Sequence, residues 1–312
     1  MENLIVAFNC VFPIFVMMFV GYLARRRSVV PEEVYPRLSK LCFQVLLPVM
    51  MFCNLYSADF SVAFSAKLVG FLVAQVVLYF LLGYLSALRF VPDRRTCGTW
   101  TQAFFRSNIA VIGIALAQTL MDSNGVATMT IAIAVIVPLY NVLAVFTLES
   151  FRGTQFDAKT VLKNVARNPL ILGSVLGLIF HFLRIPVPDV LLSPLSSVGK
   201  AGSVLILIAL GASFQFQSLR GNRRNLILLT AARLVAVPAL GMLLAYLIGL
   251  RGNEIGTVLI CAGSPMATTA FPMAQAYDSD YELAGQLVVV TSLLCCLTMF
   301  LWIFCLKQAG VM

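Results

Sequence analysis

The chain is short of titratable chemistry. It has one histidine, His181, and only 13 aspartates and glutamates in 312 residues. A lone imidazole near a helix end, with no second histidine and no carboxylate beside it, is no metal site. It also rules out a serine–histidine–aspartate set, so no catalytic residues emerge and no enzyme is expected. The phosphate-cradling glycine loop is missing, which argues against an ATP-driven pump. The eight cysteines are scattered, contain no CxxC and fall mostly in apolar runs, where they read as small buried apolar residues. No cofactor is expected. Glycine/serine linkers and low-complexity tracts are also absent, so no soluble domain interrupts the chain.

What fills the sequence is apolar. Hydrophobic residues make up 60%, charged residues 11%, and the mean hydropathy is +0.94. This composition indicates an all-α polytopic membrane protein. A bilayer core of roughly 30 Å takes about 20 helical residues per crossing. Apolar segments at about 4–24, 38–56, 67–88, 98–121, 126–149, 166–183, 198–215, 225–248, 255–275 and 283–306 predict ten crossings. The formal charge of +9 does not call for nucleic acid, because its distribution explains it. Loops on one side carry 15 Lys and Arg: residues 25–27, 37, 40, 89, 94, 95, 152, 159, 163, 167, 220, 223 and 224. The other side carries five, Lys67, Arg184, Lys200, Arg251 and Lys307. By the positive-inside rule both termini face outward in the cell membrane. Asp278, Asp280 and Glu282 put acid on the basic side, but acidic residues weigh little in that rule. The start of the chain lacks a basic stretch before its first apolar run, so that run is expected to be a retained helix.

The two halves share a pattern. Pro13 and Gly21 recur as Pro169 and Gly177, an offset of 156, and the same offset carries Asn108 onto Ser264, beside Pro265. Five crossings per half make the repeat an inverted one. Residues 1–150 form the first unit, 151–165 a basic cytoplasmic linker, and 166–312 the second unit.

The shared offset also joins two defects. Arg106-Ser107-Asn108 with Gly113 interrupts the fourth apolar segment, and Gly263-Ser264-Pro265 followed by Thr268, Thr269 and Pro272 interrupts the ninth. Proline removes an amide donor and clashes with the preceding turn, while Ser107, Asn108, Thr268 and Thr269 offer capping oxygens. Broken backbone at membrane depth is tolerated where protein or a wet cavity satisfies it. Half-helix N-termini meeting there would make a positive pocket for an anion. The substrate-binding candidates are therefore Ser107, Asn108, Gly113, Ser264, Pro265, Thr268 and Thr269. Asn54 and Asn141 join them, since each follows a proline in an apolar helix. Arg106 and Arg233 lie in apolar surroundings and are candidates for balancing substrate charge. Arg106 could instead snorkel to the interface, and Arg233 pair with another group. Gln75 and Gln102 read as interhelical hydrogen-bonding residues. The central parts of the third, fourth, eighth and ninth segments hold no acid, which favours an anionic solute over a cation.

Pro13-Ile14 through Gly21-Tyr22-Leu23-Ala24-Arg25-Arg26, Leu46-Leu47-Pro48, Phe105-Arg106-Ser107-Asn108, Val137-Pro138 with Asn141, Asn168-Pro169-Leu170, Gly263-Ser264-Pro265 and Ala276-Tyr277-Asp278 resemble the auxin efflux carrier family, bacterial type. The resemblance spans nearly the whole chain. It implies a bile-acid symporter-like fold with crossing, broken fourth and ninth helices. It implies a scaffold of helices 1, 2, 6 and 7 that can form a homodimer, and a moving transport domain of helices 3–5 and 8–10. Family members move organic anions such as auxin, malonate or malate, with Asn108 and the Ser264–Pro265 break lining the site. Some members carry an acid in the third helix, where this chain offers Gln75 as its interior polar group. The expected function is secondary transport of small organic acid anions across the lipid bilayer by alternating access. The alternatives are a sodium-coupled organic anion symporter of the same fold and a membrane ligand sensor that does not translocate.

Overall fold

The computed structural model describes residues 2–58, 65–153, 157–214 and 221–311, with side chains from residue 12 onward. Cys10 and Arg220, used in the sequence reading, lie outside the described side chains. Among the described residues the chain is helical throughout, and its one β-type contact is an isolated antiparallel bridge between Ser107 and Met266.

The first half runs α1 (Glu2–Arg26), α2 (Val34–Tyr56), α3 (Ala66–Phe90), α4 (Arg94–Phe105), α5 (Ile109–Leu120) and α6 (Ser123–Phe151). The second runs α7 (Ala158–Arg167), α8 (Pro169–Phe182), α9 (Asp189–Ser213), α10 (Arg223–Leu247), α11 (Asn253–Gly263), α12 (Ala270–Ala276) and α13 (Tyr281–Gln308). Among the described residues six helices, α2, α3, α6, α9, α10 and α13, are long and apolar enough to cross a membrane unaided, and α7 with α8 makes a seventh candidate bent by 56°. Two expected segments are broken: the fourth into α4 and α5, the ninth into α11 and α12.

Three boundaries differ from the sequence reading. The expected linker 151–165 holds most of α7. Asp157 caps its first turn, accepting from the Lys159 and Thr160 amides at 3.1 and 3.3 Å, and Val161 turns inward while Lys159 and Lys163 face out. The sixth segment therefore starts at Pro169, whose ring suits a first helical position. The seventh starts at Asp189, with Lys200 inside it, because a hydropathy threshold discards polar first turns.

Two prolines shape the helices that flank the centre. Pro48 and Pro238 each follow a π-helical turn, Cys42–Leu46 and Ala232–Ala236. A ring inside a helix collides with the carbonyl four residues back, and the widened turn makes room for it. The α10 turn also re-aims Arg233, which lies within it.

Close packing organises the rest. α1 lies on α9, and α2 lies on α8 and α9. A Cβ on Gly21 would collide with the Ile208 carbonyl, and one on Gly177 with the Phe52 carbonyl. Backbones meet directly there, as small residues permit within a membrane. α3 packs on α4, α5 on α6, α10 on α11, and α12 on α13.

The acidic stretch at residues 278–282 is held by the basic residues that surround it. Asp278 lies 3.7 Å from Arg152, its carbonyl accepts from Arg95 at 3.0 Å, and Asp280 caps α13 while accepting from Thr96 at 3.0 Å.

Candidate functional site

The two interruptions touch. The Asn108 amide donates to the Pro265 carbonyl at 2.9 Å, and the Ala267 amide to the Arg106 carbonyl at 3.1 Å. This antiparallel pairing around Ser107 and Met266 satisfies backbone groups that the broken helices leave over. Thr291 on α13 accepts from the Met266 amide at 3.0 Å. The crossing is closed off from the surface: Ser107, Asn108, Ser264, Met266 and Thr268 are all buried.

The sequence brings the four half-helix ends together with their polarities sorted. α4 and α11 end at the crossing, presenting carbonyls. α5 and α12 begin there, presenting amides. Arg233, 1% exposed, spans the two carbonyl ends. Its Nε and Nη2 donate to the Ser264 carbonyl at 3.0 and 2.9 Å, and its Nη1 to the Phe104 carbonyl at 2.9 Å. A guanidinium is suited to this task, since its donors are fixed in a fork and its charge opposes the negative helix C-termini. Arg233 thus locks the crossing and does not face the cavity expected of a charge-balancing group.

Arg106 is 2% exposed and does not snorkel. Its partners are all neutral: Gln102 Oε1 at 3.0 Å, Asn141 Oδ1 at 3.0 Å, Thr269 Oγ1 at 2.9 Å and the Met273 sulfur. No carboxylate pairs with it, and the one buried acid among the described residues is Glu149, far along α6. Arg106 lines a central cavity of about 40 Å³ together with Ser107, Asn108, Tyr140, Asn141, Thr268 and Thr269. Asn108 Nδ2 is buried and has no partner. A buried unpaired donor costs free energy, so each one calls for an explanation.

Not all the expected residues meet here. Asn54 lines a separate cavity, and Gly113 packs α5 onto α6, where a Cβ would press on Met129. Ser264 and Pro265 build the crossing without lining the cavity, and the Ser264 hydroxyl bonds back to Ile260 O at 2.6 Å. Asn108 and Thr269 occupy the N-cap positions of α5 and α12, but neither side chain caps; Thr269 serves Arg106 instead. α12 spans seven residues, so its N-terminal field is smaller than a full half-helix would give. Gln75 stays away from the crossing, donating to Tyr79 at 2.7 Å. Tyr140, unforeseen, shares a hydrogen bond of 2.9 Å with Ser107; its position one residue before Asn141 was the available signal.

Two larger cavities of about 500 Å³ flank the central one. One is lined by the start of α2 (Pro36, Lys40, Phe43, Gln44) and the end of α6 (Glu149, Arg152). The other is lined by the end of α2 (Met51, Asn54, Leu55) and the earlier part of α6 (Thr130, Ile133, Val137). The central cavity uses the stretches between, Leu47 to Met51 and Val137 to Asn141. A narrow polar middle thus separates two open mouths at opposite ends of the same helices.

A family model for membrane transport proteins matches residues 6–303. The chain belongs to the membrane transport protein family, which is the auxin efflux carrier family. This multi-pass transporter is similar to an uncharacterized transporter of Methanocaldococcus jannaschii, at 22% identity over 93% of this chain and 95% of the relative. It is similar to a Rhizobium meliloti protein named "Putative malonate transporter", at 23% identity over 91% of each. Among solved structures, the sodium proton antiporter MjNhaP1 of Methanocaldococcus jannaschii matches with a TM-score of 0.63 and 13% identity, covering 97% of both chains. That likeness concerns the fold alone.

Proposed function

We propose that the transporter carries small organic acid anions by alternating access, with one carboxylate of the substrate received between Arg106 and Asn108. The observation that carries this reading is the buried Arg106 guanidinium, which has neutral partners only and lines the central cavity beside the unpartnered Asn108 amide. An anion there would supply the missing countercharge and the missing acceptor at once. Thr268, Thr269 and Ser107 complete the polar wall, and the α5 N-terminus adds a favourable field. A cavity of about 40 Å³ has room for waters but not for an organic anion, so this conformation is closed around the site and must open toward one flanking cavity to load. The malonate relative fits a small dicarboxylate.

The repeat supplies the motion. Adding 156 to Gly21 gives Gly177, and adding it to Phe52 gives Ile208; the contacts Gly21–Ile208 and Gly177–Phe52 are exchanged by that shift. This supports ten crossings in two inverted units. Residues 1–150 and 166–312 would be the units, and α1, α2, α8 and α9 a rigid scaffold. The broken helices and their neighbours α3, α6, α10 and α13 would shift against it. The excess of Lys and Arg in the loops on one side supports a cytosolic α2 start and α6 end.

Counterflow tests the reading. Proteoliposomes loaded with unlabelled malonate should accumulate labelled malonate transiently, and Arg106→Gln should abolish the overshoot while the protein still folds. Binding without counterflow would mean a sensor. Stimulation by a sodium gradient would mean a symporter. Absence of both binding and exchange for every small carboxylate would overturn the assignment.

A further inference from the structure

The two flanking cavities have equal volumes and opposite electrostatic character. Among the described residues the outer one, at the α2 end, has a single charged lining residue, Asp189, which is exposed and in no ion pair. The inner one is lined by Lys40, Arg152, Arg167 and Glu149. Arg152 is offset: Glu149 lies 3.8 Å and Asp278 3.7 Å from its guanidinium. Lys40 and Arg167 are exposed and form no ion pair among the described residues. They stand on different elements, α2 and the end of α7, and both line the cavity. Asn168 and Pro169, the N-cap and first residue of α8, join that lining, but the α8 amides are already satisfied there: Asn168 Oδ1 accepts from Leu170 and Ile171 at 2.9 and 3.3 Å. Gln44 and Asn164 contribute amide groups to the same wall.

We infer that the inner cavity is an anion-recruitment site, a low-affinity antechamber for small carboxylates built from Lys40 and Arg167, with no counterpart on the outer side among the described residues. It rests on the proposed transport reading and deepens it, because it gives the substrate a second station that differs between the two faces. A concave, low-dielectric mouth lined by one sign of charge focuses the field and raises the local concentration of the opposite ion. The charges of a topology signal would sit anywhere on the basic side, and Lys159 and Lys163 on α7 do so, outside the cavity lining. Lys40 and Arg167 line the cavity itself. For a passive carrier the ratio Vmax/KM must be equal from both faces at zero potential, so a lower inner KM comes with a proportionately lower inner Vmax.

Charged thiol reagents read the two mouths without relying on transport. Asn164→Cys reports the inner cavity and Ser193→Cys the outer one, in a Cys10→Ser/Cys305→Ser background, Cys305 being the exposed thiol among the described residues. The anionic-to-cationic methanethiosulfonate rate ratio, normalised to a free thiol, should be raised about tenfold at Asn164→Cys in low salt. It should fall below the reference at Ser193→Cys. Adding K40Q/R167Q should return the inner ratio to the reference, whereas K159Q/K163Q removes equal charge and should leave it unchanged. Malonate should protect Asn164→Cys and not Ser193→Cys, and K40Q/R167Q should remove the protection. An inner ratio at the free-thiol value, or one insensitive to K40Q/R167Q, overturns the antechamber, as does the absence of malonate protection. A failure of counterflow with protection intact would instead sink the transport reading and leave the anion site standing.

Discussion

Arg233→Met is the sharpest test of how the crossing is held. The guanidinium makes three hydrogen bonds to two carbonyls that close α4 and α11, two to the buried Ser264 carbonyl and one to the part-buried Phe104 carbonyl. Leaving a buried acceptor unsatisfied costs about 1–3 kcal/mol, so the two carbonyls together amount to at most about 6 kcal/mol, with the part-buried Phe104 carbonyl contributing the smaller share. Part of this is offset, since a thioether of similar length removes the desolvation cost of a buried cation. A net loss of about 2–4 kcal/mol remains, which at about 2–4 °C per kcal/mol lowers Tm by about 4–16 °C. Arg233→Lys keeps the charge and loses the fork. One ammonium cannot hold both carbonyls with the same geometry, so its loss should be intermediate. Thermal unfolding of detergent-purified protein measures both. If the methionine protein melts with the wild type, the bridge between the two half-helix ends is not what fixes the crossing, and the reasoning fails.

Asn108→Ala should behave in the opposite way. Its side-chain amide has no partner to lose, so Tm should hold or rise, while malonate affinity falls about tenfold, the worth of one charge-assisted hydrogen bond; unchanged affinity in isothermal titration would remove Asn108 from the site. Gly211→Val would drive a side chain into the Met18 carbonyl and should cost more than about 3 kcal/mol, read as loss of the monodisperse peak in size exclusion; a well-folded variant would show that α1 and α9 separate at little cost. Asp122, on the exposed corner between α5 and α6, accepts from the Gly125 amide at 2.9 Å and from Asn253 at 2.7 Å, and these bonds hold its carboxyl below the usual range. Its contribution to stability is therefore full at neutral pH and is lost as the pH falls through the depressed folded-state value. The Tm gap between wild type and Asp122→Asn should shrink on acidification toward about pH 3, and a constant gap would contradict the pairing.

Much of the architecture was legible because apolar helices advertise their interruptions. Pro265 cannot continue a helix, and Arg106-Ser107-Asn108 is too polar to lie unbroken in a membrane run. Their meeting in space followed from the shared offset. Arg233 was visible as an anomaly, but its role was not, since its acceptors lie 31 and 129 residues away and are backbone atoms with no sequence signature. The π-turns before Pro48 and Pro238 could have been inferred from proline sterics. Asn54 and Gly113 were assigned to the site by helical context alone, and context does not say which face a residue presents. α7 escaped because a hydropathy average cannot see an amphipathic helix, whose information lies in periodicity.

The Gly21–Ile208 contact has a consequence for how this protein is made. α1 docks through Gly21 against Ile208 of α9, a residue encoded 187 positions later. At about 5–20 residues per second, α1 waits roughly 10–40 s in the bilayer before its partner exists. During that interval its glycine face is open to lipid and to any other nascent segment. Synthesis therefore produces an obligate waiting state, and translation speed between codons 21 and 208 sets how long it lasts.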